Sequence, residues 1–169
     1  RAAAASGGFE INDYIATGDP FVFDVAEYSL ALDCPEAWAV ACSAPETRSE
    51  NGVRYYHSRS ARDLSLFIAP EAEVTTVTKD GYTATAIHDG SFGYAATYAA
   101  DALDVFSEAF GELPEKQYCI VFTPFMTAGA EFSNAAIVSS GLSFAEVEKT
   151  VAHEVAHQWW YNLVGSDQV

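Results

Sequence analysis

The sequence predicts an α+β chain, with strands through about residue 69 and then a small sheet with helices packed on it. Three observations carry this. Apolar residues alternate at a period of two through the first third. Two Asn-Gly or Asp-Gly pairs sit between β-rich runs. After Gly90 the apolar period lengthens to that of a helix.

The elements follow in order. Residues 1–8 (RAAAASGG) are small and read as flexible. Tyr28, Leu30 and Leu32 alternate, as do Trp38, Val40 and Cys42, which is the spacing of half-buried strands. Asn51-Gly52 marks a hairpin, with Gly52 free to take positive φ. Leu64, Leu66 and Ile68 continue the alternation until Pro70 stops it. Asp80-Gly81 marks a second hairpin between 74–79 and 82–88. Ala95, Ala99, Ala102, Leu103, Phe106 and Phe110 recur at helical spacing, and Gly111 with Pro114 ends that helix. Residues 117–123 (QYCIVFT) read as a buried strand, 127–134 as a loop and 135–139 as a short edge strand. Ser143 and Glu146 form a capping box for a last helix, along which Phe144, Val147, Val151, Val155 and Trp159 share a face. Gly165 is placed to close it. A domain boundary is expected near 66–72, giving units 1–69 and 70–169. Both ends read as cuts in a longer polypeptide, so the compartment is not legible.

Composition narrows the partners. Half of the 169 residues are apolar, enough for a packed core. The net charge of −16 with only 8 Lys and Arg argues against nucleic acid, whose phosphates need clustered cations. An anionic membrane surface is disfavoured for the same reason. No apolar run is long enough to span a bilayer. Cys34, Cys42 and Cys119 match no zinc ribbon or redox pair; a Cys34–Cys42 bridge is conceivable, but buried free thiols are the expectation.

The chemistry lies in His153-Glu154-Val155-Ala156-His157. Residues four apart share a helix face, so both imidazoles can reach one ion. Zinc suits neutral imidazole, and Glu154 stands where it can accept a proton from water that the ion has acidified. Two His do not complete a catalytic site, and His57 and His88 sit in strands far upstream. A third ligand beyond Val169 is the better expectation. The bland alternative is a helix with two surface histidines.

Residues 150–168 (TVAHEVAHQWWYNLVGSDQ) resemble the zinc helix of the gluzincin aminopeptidases, the aminopeptidase N family, and bacterial members look nearest. Tyr161 stands where that family has Gly. The family's third ligand is a Glu that would fall beyond Val169, as would its catalytic Tyr. Ala128-Gly129-Ala130-Glu131-Phe132 resembles the family's Gly-Ala/Gly-Met-Glu-Asn/Tyr segment, with departures at Ala128, Ala130 and Phe132. The resemblance implies that Glu131 anchors a substrate's free α-amine and that Gly129 and Ala130 line the substrate. Residues 61–69 (ARDLSLFIA), 18–35 and 98–114 resemble, more weakly and in the family's order, two strands of its N-terminal β domain and the first helix of its thermolysin-like domain.

The resemblance thus implies a zinc aminopeptidase acting on peptides with a free N-terminus. It places the end of a β domain at 1–69 and part of a thermolysin-like catalytic domain at 70–169. Zn2+ would be held by His153 and His157, with Glu154 as general base. A zinc endopeptidase and a non-catalytic peptide-binding module are the alternatives. The 169-residue chain by itself is expected to be inactive. It is also expected to self-associate through Trp159, Trp160 and Leu163, left without part of their packing.

Overall fold

The computed structural model describes residues 24–165 and the backbone of two short strands before them. Those strands, β1 (Ala2–Ala5) and β2 (Gly8–Ile11), pair antiparallel, so residues 2–5 are extended and paired where a flexible lead is expected. The expectations for 18–23 and 166–169 lie outside the described residues.

The chain is mixed α+β. β3 (Ala26–Asp33), β6 (Val53–Ala61) and β5 (Glu46–Glu50) form one antiparallel sheet in the order β3-β6-β5. Tyr28, Leu30 and Leu32 are its half-buried face, as the alternation predicts. Asn51 at φ 53° and Gly52 at φ 80° make the turn between β5 and β6. Left-handed torsions at both central residues match the strands' twist.

β4 (Ala39–Cys42) and β7 (Leu66–Ala69) form a separate antiparallel pair. Here the expected faces are corrected. Phe67 and Ala69 pack inward, while Leu66 and Ile68 are exposed. Alternation alone gives the period and not the phase; the phase is set by Phe67 meeting Phe132 edge-on at 5.6 Å. In β4, Ala39, Ala41 and Cys42 are all buried, so its expected alternation is not clean.

The third sheet has five strands in the order β11-β12-β10-β9-β8. β8 (Glu73–Lys79) and β9 (Tyr82–His88) are the second predicted hairpin, turning at Asp80 (φ 47°) and Gly81 (φ 84°). α1 (Ala95–Phe110) carries the chain over to β10 (Gln117–Thr123), parallel to β9. Gly111, at φ 94°, donates its amide to Ser107 O and ends α1. β10 is buried and largely apolar from Tyr118 to Phe122 because both its faces are covered. Ile120 and Phe122 meet the helices, while Cys119 and Val121 meet β4 and β7.

Two expectations fail next. Residues 129–132 are a strand, β11 (Gly129–Phe132), and β12 (Ala135–Ser139) lies inside the sheet between β11 and β10. β11 takes the edge because Ser133 and Asn134, the latter at φ 55°, turn the chain back tightly. The Ala-rich, mostly buried β12 is what an interior strand requires.

α2 (Phe144–Ala156) packs on the same face as α1 through Val147, Val151 and Val155, all fully buried. Its capping box is present, with the Ser143 amide donating to Glu146 Oε2 at 2.8 Å. The α-helix does not run on to Gly165. It widens after Ala156 into a π-helical segment (Gln158–Leu163), in which the Asn162 amide donates to His157 O and that of Val164 to Trp159 O. Cys34, Cys42 and Cys119 are buried free thiols.

Candidate metal centre

The site forms where the end of α2 faces edge strand β11. Helical spacing brings the His153 and His157 side chains together, with Nε2 atoms 3.1 Å apart. His157 Nδ1 lies 3.2 Å from the Trp160 carbonyl, which can only accept. The ring's proton therefore sits on Nδ1 when it is neutral, and Nε2 turns its lone pair to the centre. The departure from helical torsions at Trp160 is what brings that carbonyl back to the ring.

Glu154, next to His153 in sequence, is 4% exposed. Its carboxylate lies against Gly129. A Cβ at Gly129 would overlap Oε1, stand 2.8 Å from Cδ and 3.0 Å from the Ile137 carbonyl. Gly129 is thus a glycine for space. Glu131 enters from the same strand, and ligand atoms of Glu131, Glu154 and His157 lie within 4.8 Å of one another. The structure therefore brings together His153, Glu154, His157, Gly129 and Glu131. Ala130 lies between the last two on the half-buried edge strand.

The donor set suits zinc. Two imidazole nitrogens each about 2.0–2.1 Å from a tetrahedral ion stand roughly 3.3 Å apart, near the separation here. Among the described residues His57 and His88 serve elsewhere. His57 Nδ1 bonds Ser29 Oγ at 3.1 Å, and His88 Nε2 bonds Thr75 Oγ1 at 2.9 Å. The field at the site is negative. Burial pushes the Tyr118 phenol well up, and the charges of Glu154 and Glu131 add to the effect.

A cleft of about 340 Å3 opens beside Glu131, lined also by Tyr28, Arg62, Asp63, Leu64, Phe132 and Tyr161. The polar groups that hold this corner carry no role predicted from the sequence. Gln158, fully buried next to His157, donates from Nε2 to the Phe132 carbonyl at 3.0 Å. Its Oε1 accepts from the Asn134 amide at 2.7 Å. In the sequence Gln158 and Asn162 stand out through the resemblance of 150–168 to a zinc helix, which says nothing of the bonds they make.

No protein-family model matches the chain, and no curated protein sequence matches it. Its fold is similar to that of the M1 zinc metallopeptidase from Deinococcus radiodurans and of a single-residue mutant of that protein. In each case the TM-score is 0.61, with 20% identity over 84% of this chain. At that identity the likeness is one of fold. The chain spans 36% of the length of those structures.

Proposed function

We propose that this chain carries part of the active site of a zinc metallopeptidase, most specifically an aminopeptidase. The observation behind it is the convergence of His153, His157, buried Glu154 and Glu131 on one small volume. His153 and His157 hold the ion, and a Glu further along a longer polypeptide completes its ligands. In that polypeptide, residues 1–69 are the end of a β domain and 70–169 part of the catalytic domain. Zinc, when bound, polarises the peptide carbonyl and acidifies water.

The chain's own residues do the rest. Glu154 takes the proton of the attacking water as general base, and its burial against Gly129 holds the carboxylate in one place. Glu131 pairs with the substrate's α-ammonium, which favours a peptide's end over its interior. Edge strand β11 offers backbone groups at Gly129 and Ala130 for an extended peptide to lie along. The fold likeness supports this reading, as does the capped helix that carries the histidines.

The test is hydrolysis of a free-amine aminoacyl reporter and its acetylated twin by the longer polypeptide with zinc. Cleavage of the free form alone is expected, with Glu154→Gln lowering kcat at least about 1,000-fold, in line with loss of both proton transfer and its orientation. Glu131→Gln should raise KM for the free amine while zinc binding stays within about threefold, since a single charge-assisted pair is removed. Equal cleavage of both reporters would make the protein an endopeptidase. Cleavage of neither, with no zinc retained, would leave a peptide-binding module.

A further inference from the structure

The turn that follows Glu131 is buried, which is unusual for a two-residue hairpin turn carrying polar groups. Ser133 is fully buried and Asn134 nearly so. The polar groups of the turn are met from three parts of the chain. From the metal helix, Gln158 takes the Asn134 amide at 2.7 Å. From the end of β4, the Ser43 carbonyl accepts from Asn134 Nδ2 at 2.9 Å. From the segment between β6 and β7, Asp63 Oδ2 accepts from the Ser133 amide at 2.9 Å.

Asp63 is the hub. The same Oδ2 lies 3.0 Å from Ser133 Oγ and accepts from the Tyr161 hydroxyl at 3.0 Å. The single Ser133 hydroxyl proton is shared between Asp63 and Asn162 Oδ1, 3.1 Å away. Arg62, the neighbour of Asp63, donates from Nε to the Asn162 carbonyl at 3.0 Å. One carboxylate from the first half of the chain therefore ties the β11–β12 turn to the π-helical segment after His157. It does so two residues from Glu131. Tyr161, the departure from the family's Gly, supplies one of the three donors.

We propose that Asp63 is a positioning residue: through Ser133 and Tyr161 it fixes the strand bearing Glu131 against the end of the metal helix, and so sets the distance from Glu131 to the ion. The proposal rests on the reading of Glu131 and the histidines given above. Burial pushes the Tyr161 hydroxyl well up, and the Asp63 charge adds to the effect, so Tyr161 remains a proton donor across the working range. Negatively charged Asp63 accepts all three bonds without itself needing a proton.

The test uses the 169-residue chain, wild type against Asp63→Ala, Asp63→Asn and Tyr161→Phe, with two readouts. The first is amide hydrogen exchange. In Asp63→Ala, exchange at Ser133, Asn134 and Glu131 should rise at least about 30-fold while the β8–β9 amides hold their wild-type rates. Tyr161→Phe and Asp63→Asn, each keeping part of the network, should give smaller rises. The second is the Co2+-induced NMR shift of the Glu131 amide, which reports its placement relative to the ion and should change in Asp63→Ala while Co2+ affinity stays within about threefold. Exchange that is unchanged at the turn, or that rises equally in every strand, overturns the proposal, as does an unaltered Glu131 shift. Failure of the wild-type chain to bind Co2+ at His153 and His157 instead counts against the metal assignment. The exchange pattern then decides by itself whether Asp63 holds the turn.

Discussion

At the residue scale, the site depends on what is missing from Gly129 as much as on what Glu154 supplies. Gly129 has no left-handed torsion to accommodate. Its side chain is absent because the Glu154 carboxylate occupies that volume, backed by the Ile137 carbonyl at 3.0 Å. A methyl group there must push the carboxylate aside, and the backbone behind it cannot yield. Gly129→Ala is therefore expected to cost about 1–3 kcal/mol of stability, the usual range for overpacking a buried site. Chemical denaturation of the zinc-free chain measures this directly. The same substitution should leave zinc affinity nearly unchanged, because the three atoms nearest the added methyl belong to Glu154 and Ile137 and to neither imidazole. A stability loss below about 0.5 kcal/mol would mean the carboxylate is free to move, and Glu154 would then lack the fixed placement that a general base needs. The histidine pair and Glu154 were legible in the sequence because their spacing and the helix period together dictate one face. The reason for Gly129 was not, since it lies in a contact between residues 25 positions apart.

At the scale of elements, local chemistry was legible and pairing was not. Asn51-Gly52, Asp80-Gly81 and the Ser143–Glu146 box each declare a turn or a helix start within four residues, and each is present. β11 and β12 were misjudged because the place of a strand in a sheet depends on distant partners. The reversed faces of β7 have the same origin. The capping box offers a pH-linked test. Hydrogen bonds from the Ser143 side chain and backbone hold the Glu146 carboxyl below its usual value. A carboxylate depressed in the folded state adds stability above its unfolded pKa and loses it as pH falls through the folded value. Ser143→Ala should cost about 1 kcal/mol at neutral pH, typical for loss of an N-cap. The gap between wild type and variant should narrow as pH falls through the depressed Glu146 value, where the carboxylate takes up its proton. Urea melts at neutral and acid pH compare the two; a gap that stays constant would show that Glu146 does not take part.

At the scale of the molecule, the two halves meet through half-buried Asp63 and through Ser43, Asn134 and Gln158, polar residues whose burial no hydrophobic pattern announces. The sequence revealed the order of elements and the helix that carries the chemistry. It did not reveal that the early strands help build the corner beside that helix. The expected self-association through the end of the chain is also refined. Trp159 is buried, donating from Nε1 to the Gly111 carbonyl at 2.9 Å and meeting Phe106 edge-on, so it contributes no sticky surface. The exposed apolar groups at this end, among the described residues, include Trp160, Leu163, Val164 and Phe110, and the rings of Phe110 and Trp160 lie 4.6 Å apart. Clustered apolar side chains of this kind drive association in water, because each contact removes nonpolar area from solvent. The 169-residue chain should therefore form dimers or larger species at tens of micromolar, read by sedimentation velocity. Trp160→Ser together with Phe110→Ser should return it to a monomer with little loss of stability, since both side chains are about half exposed. A longer polypeptide whose following residues cover the patch should be monomeric without those substitutions. A wild-type chain that sediments as a monomer at the same concentration would mean that Phe110 and Trp160 satisfy each other within one molecule, and that this face is a finished surface.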